Sequence, residues 1–447
     1  MKTLLCAAVI VLSCGFALGQ QYKVLYSFAG AQAGDGAAPV SNLVFDHAGN
    51  LYGTTLAGGS NAVQGGVVFE LSPLVGGTWT ETILYSFCSQ AINLDCLDGA
   101  GPQAGLVLDS AGSFYGTTTY GGNSTSCGIG SGCGTVFKLT PPSSPAGQWT
   151  ETVLYNFCTN YVNRQCLDGF FPHSQLTFDK AGNLYGTASS GGSGHAGGGI
   201  VFELSHGAGG WTQTVLYNFC SLGTGDFCPD GTLPEAGVIF DKAGNLYGTT
   251  GSGGGIHSIG GGIVFKLSPG SGGWTETVLK AGREFGPGSP LGTLSFDPQG
   301  NLYSTFSAGG SGNAGGVFRL GPNGSGVEFS FNFADGSTPA AGVWLDSRRP
   351  ALYGTTSTGG LGFGNVFKIV APAQESVLYN FCSQSNCADG SEPLASLVQD
   401  KSGNLYGTTK EGGINNQGLV FEILQSFPKQ KASQRPAPWH TILPSKD

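Results

Sequence analysis

Three histidines, an arginine and a glutamate are the side chains in this sequence whose types best suit chemistry at one site. All five lie in glycine-rich loops near the middle of the chain. They are His173, His195, His257, Arg283 and Glu284. Histidine and glutamate can supply a base and an acid, and arginine can hold an anion. The set therefore predicts a lyase or hydrolase acting on a carbohydrate or lactone-like substrate. The other interpretation is scattered polarity on glycine-rich loops, which is the more common origin of such residues.

An Asp-Gly dipeptide that recurs along the chain supplies a second set of candidate groups. Its aspartates are Asp35, Asp98, Asp168, Asp230, Asp335 and Asp389. Gathered around one centre, these carboxylates would hold a cation such as Ca²⁺. An aspartate that caps a turn, followed by a glycine with positive φ, explains the same repetition without a ligand. A dedicated site usually breaks the symmetry of a repeat. We therefore expect turn caps, with no metal and no cofactor.

A repeated motif carries these residues and determines the architecture. The sequence NLYGTT at residues 50–55 returns six more times in closely related forms, at intervals of 50 to 70 residues. A period of this length is one supersecondary unit, which buries its faces only by stacking on its neighbours. The tyrosines of the motif are Tyr52, Tyr115, Tyr185, Tyr247, Tyr303, Tyr353 and Tyr406.

Each repeat contains four short strand patterns. In the first repeat they cover residues 42–46, 51–55, 67–71 and 79–87, with turn residues between them and no helical period. The pattern predicts an all-β, seven-bladed β-propeller of four-stranded antiparallel blades. The tryptophans of the fourth strands can stack on sugars, but we expect them to cover blade edges instead. They are Trp79, Trp149, Trp211 and Trp274.

The long loops of such a blade share one face. They join the second strand to the third and the fourth strand to the next blade, and loops on a rigid scaffold often carry function. The fifth repeat is preceded by neither an Asp-Gly dipeptide nor a cysteine pair. Together with the grouping of three histidines, this loss predicts that any site lies over blades three to five of that face.

The two ends of the chain predict how the ring closes. Residues 22–28 match the fourth strand of a repeat, whereas the last repeat stops after its third strand at residue 424. We expect the N-terminal strand to complete the last blade and remove the open edge. The propeller then covers residues 20–424, and residues 425–447 form a flexible tail. Residues 439–443 are the rival closing strand.

The first 19 residues have the pattern of a secretory signal peptide. Lys2 is followed by an apolar segment at residues 4–12 and by small residues at 17–19, which predicts cleavage after Gly19. A lipoprotein site at Cys14 is the alternative, but Leu12 fits it poorly. The mature protein is expected to be secreted, periplasmic or at the cell surface.

The remaining ten cysteines fall into five close pairs, and in an exported chain such pairs predict disulfides. The metal interpretation is weak, because no pair has CxxC spacing and the histidines do not flank the pairs. The pairs are Cys88 with Cys96, Cys127 with Cys133, Cys158 with Cys166, Cys220 with Cys228, and Cys382 with Cys387.

Charge and hydropathy exclude two classes of partner. The formal net charge is −9 and only 11% of the residues are charged, so the chain lacks the basic surface of a nucleic-acid-binding protein. No apolar run after the N-terminus approaches the ~18 residues needed to span a bilayer. We expect a monomer.

The repeat resembles the GloVer repeat family of exported bacterial proteins. The resemblance rests on NLYGTT, the following Gly-Gly stretch and the GVVFEL strand, and it extends over residues 22–424. It implies an exported β-propeller-like protein and supplies no catalytic residues. The fifth repeat departs from the pattern, with the sequence YSTF at residues 303–306. We therefore predict a binding module for an extracellular polysaccharide or protein. The alternatives are the enzyme described above and a purely structural envelope protein.

Overall fold

The computed structural model describes residues 21–425 apart from short internal gaps. The gaps are at residues 62, 93–94, 125, 129–130, 145–146, 224–226, 256–260, 283–287, 322–323, 347 and 371–373. The described residues form seven four-stranded antiparallel sheets. The predicted all-β, seven-bladed propeller is confirmed.

We number the blades 1 to 7 along the chain and the strands of each blade from first to fourth, each strand pairing with the next. Blade 1 contains Val44–Phe45, Leu51–Thr55, Val67–Pro73 and Trp79–Ser86. Blade 2 contains Val107–Leu108, Phe114–Thr118, Thr135–Thr140 and Thr150–Asn156. Blade 3 contains Thr177–Phe178, Leu184–Ala188, Ile200–Gly207 and Gly210–Asn218. Blade 4 contains Ile239–Phe240, Leu246–Thr250, Ile263–Gly270 and Gly273–Ala281.

The last three blades follow the same order. Blade 5 contains Ser295–Phe296, Leu302–Phe306, Gly316–Gly321 and Gly324–Ser330. Blade 6 contains Trp344–Asp346, Ala351–Thr356, Asn365–Val370 and Gln374–Asn380. Blade 7 contains Val398–Gln399, Leu405–Thr409, Leu419–Leu424 and the N-terminal strand Gln21–Ser27. The loops add three two-stranded pairs: Gly36–Ala37 with Ala57–Gly58, Ala91–Ile92 with Asp95–Cys96, and Tyr161–Val162 with Gln165–Cys166. They also add the 3₁₀ turns Ala31–Ala33, His195–Gly197 and Ser385–Cys387.

The glycine of the repeated motif makes room for the phenylalanine of the third strand. A Cβ atom on Gly53 would lie 2.7 Å from Phe69 Cζ and 2.9 Å from Leu43 Cδ2. Phe69 is fully buried. In blade 1 the second and third strands can therefore pack closely only with a residue as small as glycine at this position, whereas blade 5 has Ser304 there.

An aspartate at the end of the first strand holds the turn into the second strand. In blade 1, Asp46 accepts hydrogen bonds from the backbone nitrogens of Ala48, Gly49 and Asn50 at 2.8–2.9 Å. The Asn50 amide and the Tyr52 hydroxyl donate to its other oxygen at 2.9 and 3.1 Å. The Asn and Tyr of the NLYGTT motif thus clamp a tight turn. Equivalent aspartates are held in the same way in other blades: Asp109, Asp179, Asp241, Asp297 and Asp400.

The tryptophans of the fourth strands cover the neighbouring blade, as the sequence predicts. The Trp79 ring of blade 1 lies 6.3 Å from the ring of Tyr406 in blade 7. In the same relation, Trp211 of blade 3 lies 6.4 Å from Tyr115 of blade 2. Each of these indoles therefore covers the outer end of the junction between two neighbouring blades.

The N-terminal strand closes the ring. Gln21–Ser27 pairs antiparallel with Leu419–Leu424, and the Tyr22 ring stacks on Tyr379 of blade 6 at 3.8 Å. The predicted closure is confirmed. The signal peptide at residues 1–19 and the rival strand at residues 439–443 lie outside the described residues, and residue 425 alone of the predicted tail is described.

Candidate functional site at the channel mouth

The long loops lie on one face of the ring, because neighbouring strands run antiparallel. We define the long-loop face as the loops between second and third strands together with the loops from each fourth strand to the next blade. All five predicted disulfides are present in these loops. They are compatible with an extracellular protein. No helix in the described part of the chain is long and apolar enough to cross a membrane.

The aspartates of the Asp-Gly dipeptides are bound within their own loops. Asp98 accepts hydrogen bonds from the Tyr85 hydroxyl at 2.7 Å and from the Ser89 nitrogen and hydroxyl at 2.9 and 2.8 Å. A Cβ atom on the following Gly99 would lie 2.4 Å from Thr118 Oγ1, and the φ of Gly99 is +94°. This is the geometry of a turn cap. The same contacts recur at Asp168, Asp230 and Asp389, and the loops also hold Asp35 and Asp335.

The described residues contain no group of three or more histidine, cysteine, aspartate or glutamate side chains that could hold a metal ion. The six aspartates belong to different loops, and each accepts hydrogen bonds from nearby residues, although one oxygen of Asp168 and one of Asp230 are buried without a partner in the described structure.

Of the five predicted catalytic residues, His173 alone in the described structure lines the central channel. His195 begins the 3₁₀ turn His195–Gly197 of blade 3, where its backbone nitrogen donates to Cys220 O at 2.9 Å and its side chain is exposed. His257, Arg283 and Glu284 lie outside the described residues.

The mouth of the channel is a cup of about 100 Å³ to which every blade contributes. Each contribution comes from the segment just before a first strand, so the first strands are innermost in the ring. The lining position follows a proline that the sequence repeats seven times. Blades 2, 3 and 4 place polar side chains there and the other four blades place apolar ones. In order from blade 1, the residues are Val40, Gln103, His173, Glu235, Leu291, Ala340 and Leu394.

A hydrogen-bonded pair of amides closes the floor of the cup. Asn42 Nδ2 of blade 1 donates to Gln175 Oε1 of blade 3 at 3.2 Å. Gln175 Nε2 donates to Leu106 O at 3.2 Å, and the Ser396 nitrogen donates to Asn42 Oδ1 at 2.7 Å. These hydrogen bonds connect blades 1, 2, 3 and 7, and the pair of amides forms the bottom of the cup.

Partial desolvation by the surrounding protein shifts the pKa values of the two titratable groups of the cup in opposite directions. It lowers the pKa of His173 below its usual value, and it raises the pKa of Glu235. Both shifts favour the neutral form. In the described structure neither side chain has a hydrogen-bond partner. The imidazole of His173 and the carboxyl of Glu235 can accept and donate protons or hydrogen bonds at the same cup.

An aromatic cluster stands beside this polar part of the mouth. Phe170 and Phe171 precede His173 by three and two residues, and their ring centroids lie 4.6 Å apart. Tyr120 of blade 2 lies 5.8 Å from the Phe171 ring. The Tyr120 ring also packs against Gly101, two residues before Gln103. The aromatic residues belong to blades 2 and 3 and the polar cup residues to blades 2 to 4, whereas the sequence predicts a site over blades three to five.

Sequence reasoning missed Gln103, Glu235 and the aromatic cluster. The available signal was the proline that precedes each cup residue, such as Pro102, Pro172 and Pro234. A Cβ atom on Gly134 at the start of a third strand would lie 2.5 Å from Pro172 Cδ of the next blade. Each proline therefore fixes the segment that turns the next residue into the channel.

The chain belongs to the Gloeobacter/Verrucomicrobia repeat family. Its model matches three overlapping regions, residues 16–161, 124–360 and 258–432. The resemblance predicted from the repeated motif is therefore confirmed. No curated protein is detectably similar to the sequence.

Solved propellers share the fold at low sequence identity. An ancestral GH74 enzyme is 13% identical with a TM-score of 0.50, and the match covers 92% of this chain and 52% of that one. An ulvan lyase of a new polysaccharide lyase family is 10% identical with a TM-score of 0.48, over 90% and 95% of the two chains. A putative 6-phosphogluconolactonase from Bacteroides uniformis is 13% identical with a TM-score of 0.44, over 75% and 83%. At these identities, likeness is informative about fold alone.

Proposed function

We propose that the protein is an exported binding module that holds a neutral polysaccharide on its long-loop face and acts as a monomer outside the cytoplasm. One observation carries this proposal. The aromatic cluster of Tyr120, Phe170 and Phe171 adjoins a channel mouth whose polar side chains come from the same blades. Aromatic faces that stack on sugar rings, beside groups that hydrogen-bond hydroxyls, are what recognition of a neutral sugar requires.

Exposed apolar surface is concentrated on the same face. Ten of the fifteen exposed large hydrophobic side chains of the described structure lie in its loops. Scattered single residues would need no explanation, but concentration on one face indicates an interaction surface. The ten are Ile92, Tyr120, Tyr161, Val162, Leu222, Leu233, Phe333, Leu361, Phe363 and Ile414.

The volume of the cup and the net charge of the protein restrict the class of ligand. The cup of about 100 Å³ is smaller than the ~300–1,000 Å³ of a typical small-molecule pocket. A cup of this volume can hold one protruding group of a polysaccharide that lies across the long-loop face. The net charge of −9 opposes the approach of an anionic polymer, so a neutral polysaccharide is favoured over a polyuronate or a sulfated polymer.

Removing the aromatic cluster should weaken polysaccharide binding. We expect Tyr120→Ala and Phe171→Ala each to raise the Kd by about tenfold, since a well-placed ring contributes roughly 1 kcal/mol beyond the area it buries. The measurement is affinity electrophoresis and calorimetry against dextran, soluble starch and hydroxyethylcellulose, with alginate as the anionic comparison.

Leu361→Ala is the control, because Leu361 is also an exposed apolar residue of the same face but belongs to blade 6. It should leave the Kd unchanged. Equal binding by wild type and both aromatic variants, or a preference for alginate, would contradict the proposal. If the protein binds a polypeptide and shows no affinity for any glycan, the long-loop face is a protein-binding surface instead.

An exported lyase or hydrolase is the second candidate, and the pairing of His173 with Glu235 at one cup favours it. Environments that lower the pKa of a base and raise the pKa of a nearby acid are typical of acid–base catalysis. His195, His257, Arg283 and Glu284 remain predicted contributors to this activity. The small volume of the cup is why binding is the leading proposal.

If catalysis occurs at the cup, His173→Ala and Glu235→Gln should each lower kcat by at least about 100-fold, the usual effect of losing one acid–base group. Reducing-end release and the ultraviolet absorbance of the unsaturated product of a lyase distinguish hydrolysis from elimination. His195→Ala tests the exposed histidine. Turnover that survives both cup substitutions would place the chemistry elsewhere.

A further inference from the structure

A cavity of about 480 Å³ lies at the outer end of the junction between blades 4 and 5, away from the channel. Its walls combine apolar and aromatic side chains with the hydroxyls of Tyr247 and Ser325 and the backbone of two glycines. The walls are formed mainly by Tyr247, Leu279, Phe296, Leu302, Leu320 and Ser325.

In blade 1 the equivalent space is filled by the protein itself. There the indole of Trp79 packs in one cluster with Tyr406 of the preceding blade and with Phe45, Leu51 and Leu71 of its own blade. Tyr247, Phe296, Leu302 and Leu320 occupy the same repeat positions at the junction of blades 4 and 5. Trp149, Trp211 and Trp274 fill the corresponding spaces of blades 2, 3 and 4.

Blade 5 lacks this tryptophan because its outer hairpin is shorter. In blade 3, Trp211 pairs with His206 just before the turn-closing pair of Gly207 with Gly210. In blade 5 the hairpin closes at Gly321 and Gly324, and no tryptophan occurs in its fourth strand. The faces of Tyr247 and Phe296 are therefore left without the ring that covers their counterparts.

The surface around the cavity is also unusually apolar. Val278, Leu279 and Val327 are 40%, 37% and 44% exposed. On all seven fourth strands, within the described residues, these are the only large apolar side chains that are exposed. All three belong to the two blades that flank the cavity. The fourth strands of blades 6 and 7 also lack the tryptophan, but no large apolar side chain is exposed on them in the described structure, so the apolar surface is left open at this junction.

We propose that this cavity is a ligand site for a small molecule that carries one indole-sized aromatic ring. The molecule replaces the absent tryptophan of the fifth repeat. This site does not depend on the polysaccharide face, since it lies at the outer rim and uses no residue of the channel mouth.

The cavity has the size and composition that such a ligand requires. Its volume lies within the ~300–1,000 Å³ of small-molecule pockets, which are mostly apolar with a few polar groups. Tyr247 and Phe296 offer ring faces and edges for stacked or T-shaped contacts. The Ser325 hydroxyl, which accepts a hydrogen bond from Lys280 Nζ at 3.1 Å, gives the ring nitrogen or a polar substituent a place at the rim.

Binding of indole to the full mature chain tests the proposal. We expect saturable binding of one indole per chain in calorimetry, and saturation-transfer NMR contacts between indole and the rings of Tyr247 and Phe296. Ser325→Trp should fill the space from within and raise the Kd for indole by at least about tenfold, while Ser325→Ala should change it by less than about twofold.

The two serine variants form a matched pair, because both remove the hydroxyl and only one fills the cavity. Tyr247→Leu provides a second route that keeps the site apolar while removing a stacking ring, and it should also weaken binding. Absence of saturable indole binding to the wild type, or undiminished binding by Ser325→Trp, would overturn the proposal. Binding lost equally in Ser325→Trp and Ser325→Ala would also overturn it, because a cavity filled by a ring would then not be the cause.

Discussion

Deleting residues 20–28 is expected to cause the largest loss of stability, with a sharp fall in the melting temperature and aggregation. The deleted strand supplies the fourth strand of blade 7 and pairs with Leu419–Leu424. Its removal exposes a row of unpaired backbone groups, which promotes association of chains through the edge. The measurement is thermal unfolding by circular dichroism, with light scattering to follow aggregation.

The size of the effect follows from the side chains that the strand buries. Phe28 is fully buried and Leu25 nearly so. Tyr22 stacks on Tyr379 and donates a hydrogen bond to Asp389 O at 2.7 Å. Burying each large apolar side chain contributes roughly 1.5–3 kcal/mol. Losing several approaches the whole stability of a typical fold, about 5–15 kcal/mol.

Two further chains test the assignment of this strand. Deleting residues 426–447 should leave the melting temperature nearly unchanged. The second variant lacks both residues 20–28 and the C-terminal tail, and carries residues 21–28 after Leu424 through an Asn-Gly turn. This variant should regain stability, because Gln21 pairs with Leu424 in the native fold. If loss of the tail were the damaging change, residues 439–443 would be the closing strand.

The fold could be predicted from the repeat, because the same pattern of strands and turns occurs seven times in the sequence. Alternation around NLYGTT gives the strands, and a fourth-strand pattern at residues 22–28 gives the closure. The cup was not predictable in this way. His173 and Glu235 are 62 residues apart and become neighbours around the channel only because consecutive blades are placed side by side. The contact of Asn42 with Gln175 spans 133 residues and two blades, and no periodicity indicates it.

Positions at which one repeat differs from the others carry information that a consensus of the repeats does not show. The missing tryptophan of blade 5 is visible in the sequence, but its consequence depends on which neighbouring blade it would have covered. The Asp-Gly dipeptides show the opposite case. Their regularity favours a turn cap, because a cap is needed once in each loop, and the hydrogen bonds at Asp98 have that geometry.

A half-buried position on the fourth strands carries an acid in four of the seven blades. In blade 1 it is Glu81, six residues before Phe87. One oxygen of each of the four carboxyls is buried without a hydrogen-bond partner in the described structure. Burial, and then the charge of a neighbouring Asp-Gly aspartate, raises the pKa of three of these acids to about 7 and that of Glu151 to about 8. The acids are Glu81, Glu151, Glu276 and Glu375.

Two other blades show what the position requires. In blade 3 it is Gln213, whose Nε2 donates to the backbone oxygen of Asp168 at 2.9 Å. In blade 7 it is Tyr22, whose hydroxyl donates to the backbone oxygen of Asp389 at 2.7 Å. Both are donors to the aspartate of an Asp-Gly dipeptide. A glutamate can donate there only in its protonated form.

Replacing all four glutamates by glutamine is therefore expected to raise stability at alkaline pH. The native protein holds protons that the unfolded chain releases above its usual glutamate pKa of 4.5. Stability contributed by these acids is complete below that pH and is lost as the pH rises through about 7 to 8. The variant should match the wild type at about pH 4.5 and melt several degrees higher at about pH 9.

Gln213→Glu is the matched reverse change, because it places a fifth acid at the same position of blade 3. It should leave the melting temperature at acidic pH nearly unchanged and lower it at alkaline pH, by about a quarter of the gain in the fourfold variant if the blades act independently. Carbon-13 NMR of the glutamate carboxyls gives a direct test, since the four resonances should titrate near neutral pH. Titration near pH 4.5, or the same pH dependence of melting in wild type and both variants, would mean that the four carboxyls are ionised in the fold and find their compensation elsewhere.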